Sequence, residues 1–322
     1  MTRWTPLLAG LLATLAPLVA WTQAYPSKPV KFVTGSPGGG APDVMARLIS
    51  QKMSSDWGVQ VIVENRPGAG GILAAESVAH SAPDGHTLLF HDQAVWAINP
   101  HLYSRLAYDP LKDFTAVTLV GIAPLFFVVN VSVPTSSIQE LIAHAKANPG
   151  KLSFASTGNG SVHHIATELF KSMAGVNIVH VPYKGGGPAV VALLAGEVQM
   201  AFQGYPGVAP GVGAGRLRLL AIANPQRSSS HPGVPTLSES GLPGFDMTAS
   251  IGVLAPAGTP REVVAKLNAG IAAGVAVPEY SARMSVLGIS TLVTTPEQFG
   301  AQIRAEYDKY ARLVKLAGAR ID

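Results

Sequence analysis

With 48% hydrophobic and only 13% charged residues over 322 positions, the chain is too apolar for a disordered polyelectrolyte and long enough for one large or two medium packed domains. Its net charge of +4 is unclustered, 23 Lys plus Arg against 19 Asp plus Glu with no run of three basic residues, which argues against nucleic acid as a partner. The absence of Cys removes disulfides, thiolate metal sites and Cys nucleophiles, so packing must stabilise the fold.

In chain order, residues 1–24 read as a secretory signal: Arg3 near the amino terminus, an apolar stretch over 7–20, and Thr22-Gln23-Ala24 as a small-residue cleavage site. The stretch is shorter than the roughly 20 residues of a spanning helix. Cleavage would leave Tyr25 first, with 22 basic residues against 19 acidic. A Cys-free exported product suits a bacterial periplasm.

Beyond Tyr25, short apolar runs alternate with helical periodicity. Strands are expected over 30–33, 59–63 and 87–90, with helices over 44–53 and 72–79; the grammar returns as strands 152–155, 178–181 and 198–202 with helices 161–173 and 188–195. Taken locally, such βαβ alternation implies two α/β units with mainly parallel sheets between helices. After a strand over 217–223 comes a Pro/Ser/Gly-rich loop over 224–244. A strand over 251–254 and helices over 261–273, 278–287 and 296–316 close the chain.

Three glycine turns interrupt these units. Thr34-Gly35-Ser36-Pro37-Gly38-Gly39-Gly40-Ala41-Pro42-Asp43 links the first strand to its helix. Glycines let backbone N–H groups approach a ligand, and the helix start adds unpaired donors and a positive dipole end. The plainer reading is a tight turn with Pro42 in the first helical turn and Asp43 opposing the dipole. It is neither a Walker loop nor a Gly-x-Gly-x-x-Gly fingerprint. In the second unit, Ser156-Thr157-Gly158-Asn159-Gly160-Ser161 has the same placement and adds side-chain donors; Ser161 is either a ligand contact or simply the helix cap. Two such loops at the carboxyl ends of strands, facing one another, would form a cleft suited to a small carboxylate held by neutral donors. The third, Tyr183-Lys184-Gly185-Gly186-Gly187-Pro188, reads more simply as a surface turn with a solvated Lys184.

Metal and nucleophile chemistry lack support. His163 and His164 are adjacent on a helix, about 100° apart, with no His-Glu-x-x-His, and no Gly-x-Ser-x-Gly elbow occurs. No cofactor, metal or catalytic residue is expected.

Taken together, Tyr25-Pro26-Ser27-Lys28-Pro29, Gly39-Gly40-Ala41-Pro42-Asp43, Glu64-Asn65-Arg66-Pro67-Gly68-Ala69-Gly70-Gly71, Pro83-Asp84-Gly85-His86-Thr87, Ser156-Thr157-Gly158-Asn159-Gly160-Ser161, His180-Val181-Pro182-Tyr183-Lys184-Gly185 and Ala255-Pro256-Ala257-Gly258-Thr259-Pro260 resemble the Bug family, the receptors of tripartite tricarboxylate transporters. The resemblance runs over nearly the whole chain after residue 24. It implies an α/β, two-lobed type 2 periplasmic binding fold, a Venus-flytrap in which each lobe is a central mixed sheet flanked by helices. Lobe 1 would comprise residues 25–124 and 249–322, and lobe 2 residues 125–248.

What the resemblance further implies is a periplasmic receptor, a monomer and not an enzyme, that traps a small organic carboxylate and delivers it to the membrane subunits of a tripartite transporter. Its implied ligand-binding residues are Gly35, Ser36, Pro37, Gly38, Gly39, Gly40, Asp43, Gln93, Trp96, Ser156, Thr157, Gly158, Asn159, Gly160, Ser161 and Gln203. Three positions depart from the family pattern. The first loop is about one residue longer. A neutral Gln203 stands where many relatives carry Asp, which weakens the case for an amino-group ligand. His91-Asp92-Gln93-Ala94-Val95-Trp96 replaces small hydroxyl residues, and Trp96 is either core or a wall for a flat ligand. The rival readings are a sensor component signalling to a membrane kinase and, less favoured, an exported hydrolase using the cleft.

Overall fold

The computed structural model describes residues 25–319 apart from Ser229, so the expected secretory signal lies outside the described residues. The chain begins with β1 (Val30–Thr34), α1 (Ala41–Trp57), β2 (Val61–Asn65), α2 (Ile72–Ala79), β3 (Thr87–Asp92), a π-helical turn (Ala94–Ile98) running into α3 (Asn99–Leu102), and β4 (Phe114–Ala123). It then builds β5 (Phe126–Asn130), α4 (Ile138–Ala147), β6 (Ser153–Ser156), α5 (Val162–Ala174), β7 (Val179–Pro182), α6 (Gly186–Ala195), β8 (Met200–Gln203), α7 (Tyr205–Gly213) and β9 (Leu217–Ile222). The last stretch is β10 (Ala249–Pro256), α8 (Arg261–Val275), α9 (Pro278–Val286), β11 (Ser290–Thr291) and α10 (Pro296–Ala317).

Two sheets result, a six-stranded one in the order β11-β4-β10-β3-β1-β2 and a five-stranded one in the order β7-β6-β8-β5-β9. Both are mixed. In the first, β1 pairs in parallel with β2 and β3, whereas β10 runs antiparallel to β3 and β4. In the second, β6 is parallel to β7 and β8, and β5 is antiparallel to β8 and β9. The mainly parallel sheets expected from local pattern fail for a topological reason: parallel neighbours need helical crossovers, whereas β5 enters the second sheet directly from the first and β10 returns to the first after the long segment 223–248. Only Pro124 and Leu125 separate β4 from β5.

Helices cover both faces of each sheet through apolar stripes. In α1, Met45, Ile49 and Met53 recur at helical spacing and are fully buried against β1, β3 and α8. Pro42 fits the first turn, where its missing N–H costs nothing, and Gly58 ends the helix in the left-handed region at φ 67°. A second cluster is continuous from the opposite face of the first sheet, through Trp96 and Phe299, into Phe127, Phe154 and Phe202 of the second sheet and Phe170 of α5. Helix α10 carries that continuity: started by a Thr295–Gln298 capping box, it packs on β4 and on α5, where Ser172 Oγ donates to the Leu316 carbonyl (2.6 Å).

Candidate functional site

The carboxyl ends of β1, β2 and β3 converge on one buried imidazole. A Cβ on Gly35 would stand 2.5 Å from the Gly71 Cα and 2.7 Å from His91 Nε2, and one on Gly71 would stand 2.6 Å from the same nitrogen. Gly71 also has φ 89°. Only glycine permits this approach, which brings residues 34–40 and 68–71 together over the end of the sheet.

The first loop is shaped by Asp43. Its carboxylate accepts from the Gly39 N–H (2.9 Å), Asn65 Nδ2 (2.8 Å) and Arg47 Nε (3.0 Å), while Asn65 also donates to the Ser36 carbonyl (3.0 Å). Burial works to raise the Asp43 pKa, but the bonds from Arg47, Gly39 and Asn65 hold it below the ordinary carboxylate range. Asp43, buried and fully engaged, fixes the loop from behind; Gly38, Gly39 and Gly40 form its outer rim.

In the second sheet the loop after β6 is built by its own hydroxyls. Ser156 Oγ meets His180 Nε2 (2.7 Å) and accepts from the Gly158 N–H (3.2 Å). Ser161 Oγ donates to the Gly158 carbonyl (2.7 Å) and accepts from the His164 N–H (3.2 Å), the ordinary cap of α5. Thr157 Oγ1 meets His163 Nδ1 (2.9 Å). Asn159 projects to solvent between Gly158 and Gly160, both at positive φ. These hydroxyls are committed to loop architecture, as are the N–H groups of Gly158, Gly160 and Ser161, which leaves the N–H groups of Thr157 and Asn159 as donors for a guest.

His164 and His180 stack at 4.1 Å between ring centroids, with His180 in turn 4.6 Å from Phe154. Burial, then neighbouring positive groups, depresses His164 to about 3 and His180 to about 4. Both are neutral wedges that support the loop. Among the described residues no group of three His, Asp or Glu is placed to hold a metal ion.

The turns of the two sheets touch. A Cβ on Gly70 would lie 3.5 Å from the Gly160 carbonyl oxygen, and one on Gly185 would lie 3.0 Å from the Pro37 ring. The third glycine turn, which reads from sequence as a surface feature, therefore abuts the first: Gly185 is buried at φ 105°, though Lys184 is exposed. Beside it, Gln203 at the end of β8 is 4% exposed, and its Nε2 has no hydrogen-bond partner. A Cβ on Gly186 would stand 3.7 Å from Gln203 Oε1. An unpaired buried amide next to α6, whose start at Gly185 has no side-chain cap, is an unmet demand for an acceptor.

Two sequence candidates lie elsewhere. Gln93 is fully buried, donating to the Thr248 carbonyl (2.6 Å) and Tyr310 Oη (3.0 Å), and so ties the end of β3 to the return segment and α10. Trp96 takes the core alternative, also fully buried, edge-on to Phe299 at 5.4 Å and donating to Glu306 Oε2 (2.7 Å). The side chain of this segment that retains exposure is Asp92, which sequence reading did not single out; its position as the last residue of a central strand, at the end that carries the loops, was the available signal.

Residues 45–319 match the family model described as "Tripartite tricarboxylate transporter family receptor". The chain is 36% identical to "Protein BugT" of Bordetella pertussis over 325 residues, spanning 100% of this chain and 99% of that one. Among solved structures, an R. palustris protein with adipate is 33% identical with a TM-score of 0.86, covering 92% of this chain and 100% of its own. MatC from Rhodopseudomonas palustris with bound malate is 34% identical with a TM-score of 0.82, covering 90% and 100%.

Proposed function

The chain belongs to the tripartite tricarboxylate transporter receptor family, whose members are periplasmic solute-binding proteins, and on that premise we propose that it traps a small organic carboxylate between two lobes and performs no reaction on it. Residues 25–124 with 249–322 form one lobe and 125–248 the other, a division supported by the chain leaving the first sheet after Ala123 and re-entering it at Ala249. The ligand's carboxylate accepts from the main-chain N–H groups that the two loops do not use themselves, those of Gly35, Gly38, Thr157 and Asn159, with Gln203 Nε2 as a further donor. Asp43, Ser156, Ser161 and Gln93 hold these elements in place, and Trp96 supports them from the core.

The observation that carries this reading is the meeting of glycine turns from separate sheets beside an unpartnered buried amide. A ligand favours closure only through contacts made better in the closed state, and donors divided between lobes supply that difference. Adipate and malate in the related proteins agree with the acid chemistry. The receptor is exported to the periplasm after loss of residues 1–24, acts as a monomer and passes its acid to membrane subunits of a tripartite transporter.

A thermal-shift screen of residues 25–322 against carboxylic acids, uncharged amides and amines tests the reading. A ligand at 100 times its Kd adds about 2.7 kcal/mol to stability, so an acid should raise Tm by several degrees. Stabilisation by uncharged compounds or amines alone would refute it.

A further inference from the structure

From Leu88 to Asn99 every residue is buried except Asp92, whose side chain keeps 24% of its surface. It ends the strand whose neighbours β1 and β10 flank it in mid-sheet, at the same edge as the glycine turns over His91. Oδ1 is taken, accepting from the Ala94 N–H (3.0 Å) and meeting His91 Nδ1 (3.1 Å); no hydrogen bond within the described residues engages Oδ2. From the second sheet, His163 in the first turn of α5 is near enough for its charge and that of Asp92 to influence one another. A carboxylate thus stands half-satisfied at the strand end that carries the glycine turns.

We propose that Asp92 sets the selectivity of the cleft: its free oxygen accepts a hydrogen bond from a protonated amine or a hydroxyl on the ligand, so that the acids captured are amino- or hydroxy-substituted rather than plain alkanoates or alkanedioates. This rests on the carboxylate reading above and adds a second requirement to it. A carboxylate oxygen shut away from water by an occupied cleft is costly without a donor, and a ligand carboxylate placed against it would be repelled. A ligand donor removes both penalties. The neutral Gln203, which from sequence weakened the case for an amino group, is compatible because the acid that would receive it lies on the other sheet. The two ends of the ligand then meet opposite chemistry, an amide N–H at Gln203 and an acceptor at Asp92, which fixes its orientation.

Calorimetry of residues 25–322 with matched pairs provides the test: aspartate and malate against succinate, glutamate against glutarate, alanine and lactate against propionate. At least one substituted acid should bind about tenfold or more tightly than its parent, and Asp92→Ala should reduce that ratio to about twofold while the parent acid binds no worse. Asp92→Asn keeps the acceptor for Ala94 and removes the charge; it serves as the folded control if Asp92→Ala lowers Tm, and should collapse the ratio for the amino acids. Parent acids binding as tightly as substituted ones, or a ratio that survives both substitutions, would overturn the role of Asp92 alone. Heat from none of the acids would instead overturn the carboxylate reading.

Discussion

Ser161 shows how one hydroxyl answers a question left open by its sequence context. Its oxygen bridges the Gly158 carbonyl and the His164 N–H, so Ser161→Ala is expected to cost about 1 kcal/mol of stability through loss of a cap, read as a lower urea midpoint. Trp96→Phe separates core from cleft in the same way: loss of the Glu306 bond should lower Tm while ligand affinity stays within about twofold. An affinity lost without a stability change would return Trp96 to the binding surface. The histidines make a pH prediction with a definite sign. His163, His164 and His180 are pushed by burial to about 4, 3 and 4, so below about pH 6.5 the unfolded chain binds protons that the folded one refuses. Stability should therefore be full above that pH and decline as pH falls towards about 4. His91, raised by Asp92 against its burial, acts in the opposite sense but is one group against three. A urea midpoint unchanged or higher at pH 5 than at pH 7.5 would contradict this.

At the level of elements, the units with clean punctuation were legible. Helix α2 falls on the residues that periodicity indicates, α8 and α10 differ by two residues or fewer, and α1 is longer by three residues at its start and four at its end. The segment 114–130 was not legible: β4 and β5 are almost uninterrupted apolar sequence because most of their residues are buried on both faces, and such runs carry no period-two signal. Helix α7 hid behind Pro206, Pro210 and three glycines, which ordinarily mark loops. The first two glycine turns were readable as strand-to-helix turns, whereas the contact of the third with the first was not, since it depends on Pro37 approaching from the other sheet. Gly185→Ala places a methyl at positive φ against that ring, so it should weaken ligand binding by about tenfold or more and also lower Tm, by calorimetry and thermal melt respectively. Unaltered affinity would remove the third turn from the closed cleft.

Across the whole molecule, the sheets are joined by the direct β4–β5 crossing, by the return segment 223–248 and by α10, whose carboxyl-terminal half lies on α5. One apolar cluster continues through this junction, a packed core about which lobe movement would pivot. A diffraction structure of residues 25–322 with its tightest-binding acid bears most directly on the account. Carboxylate oxygens within hydrogen-bond distance of main-chain N–H groups from both residues 35–40 and residues 156–161 are expected; an acid seated on one sheet's turns alone, or away from both, would contradict it.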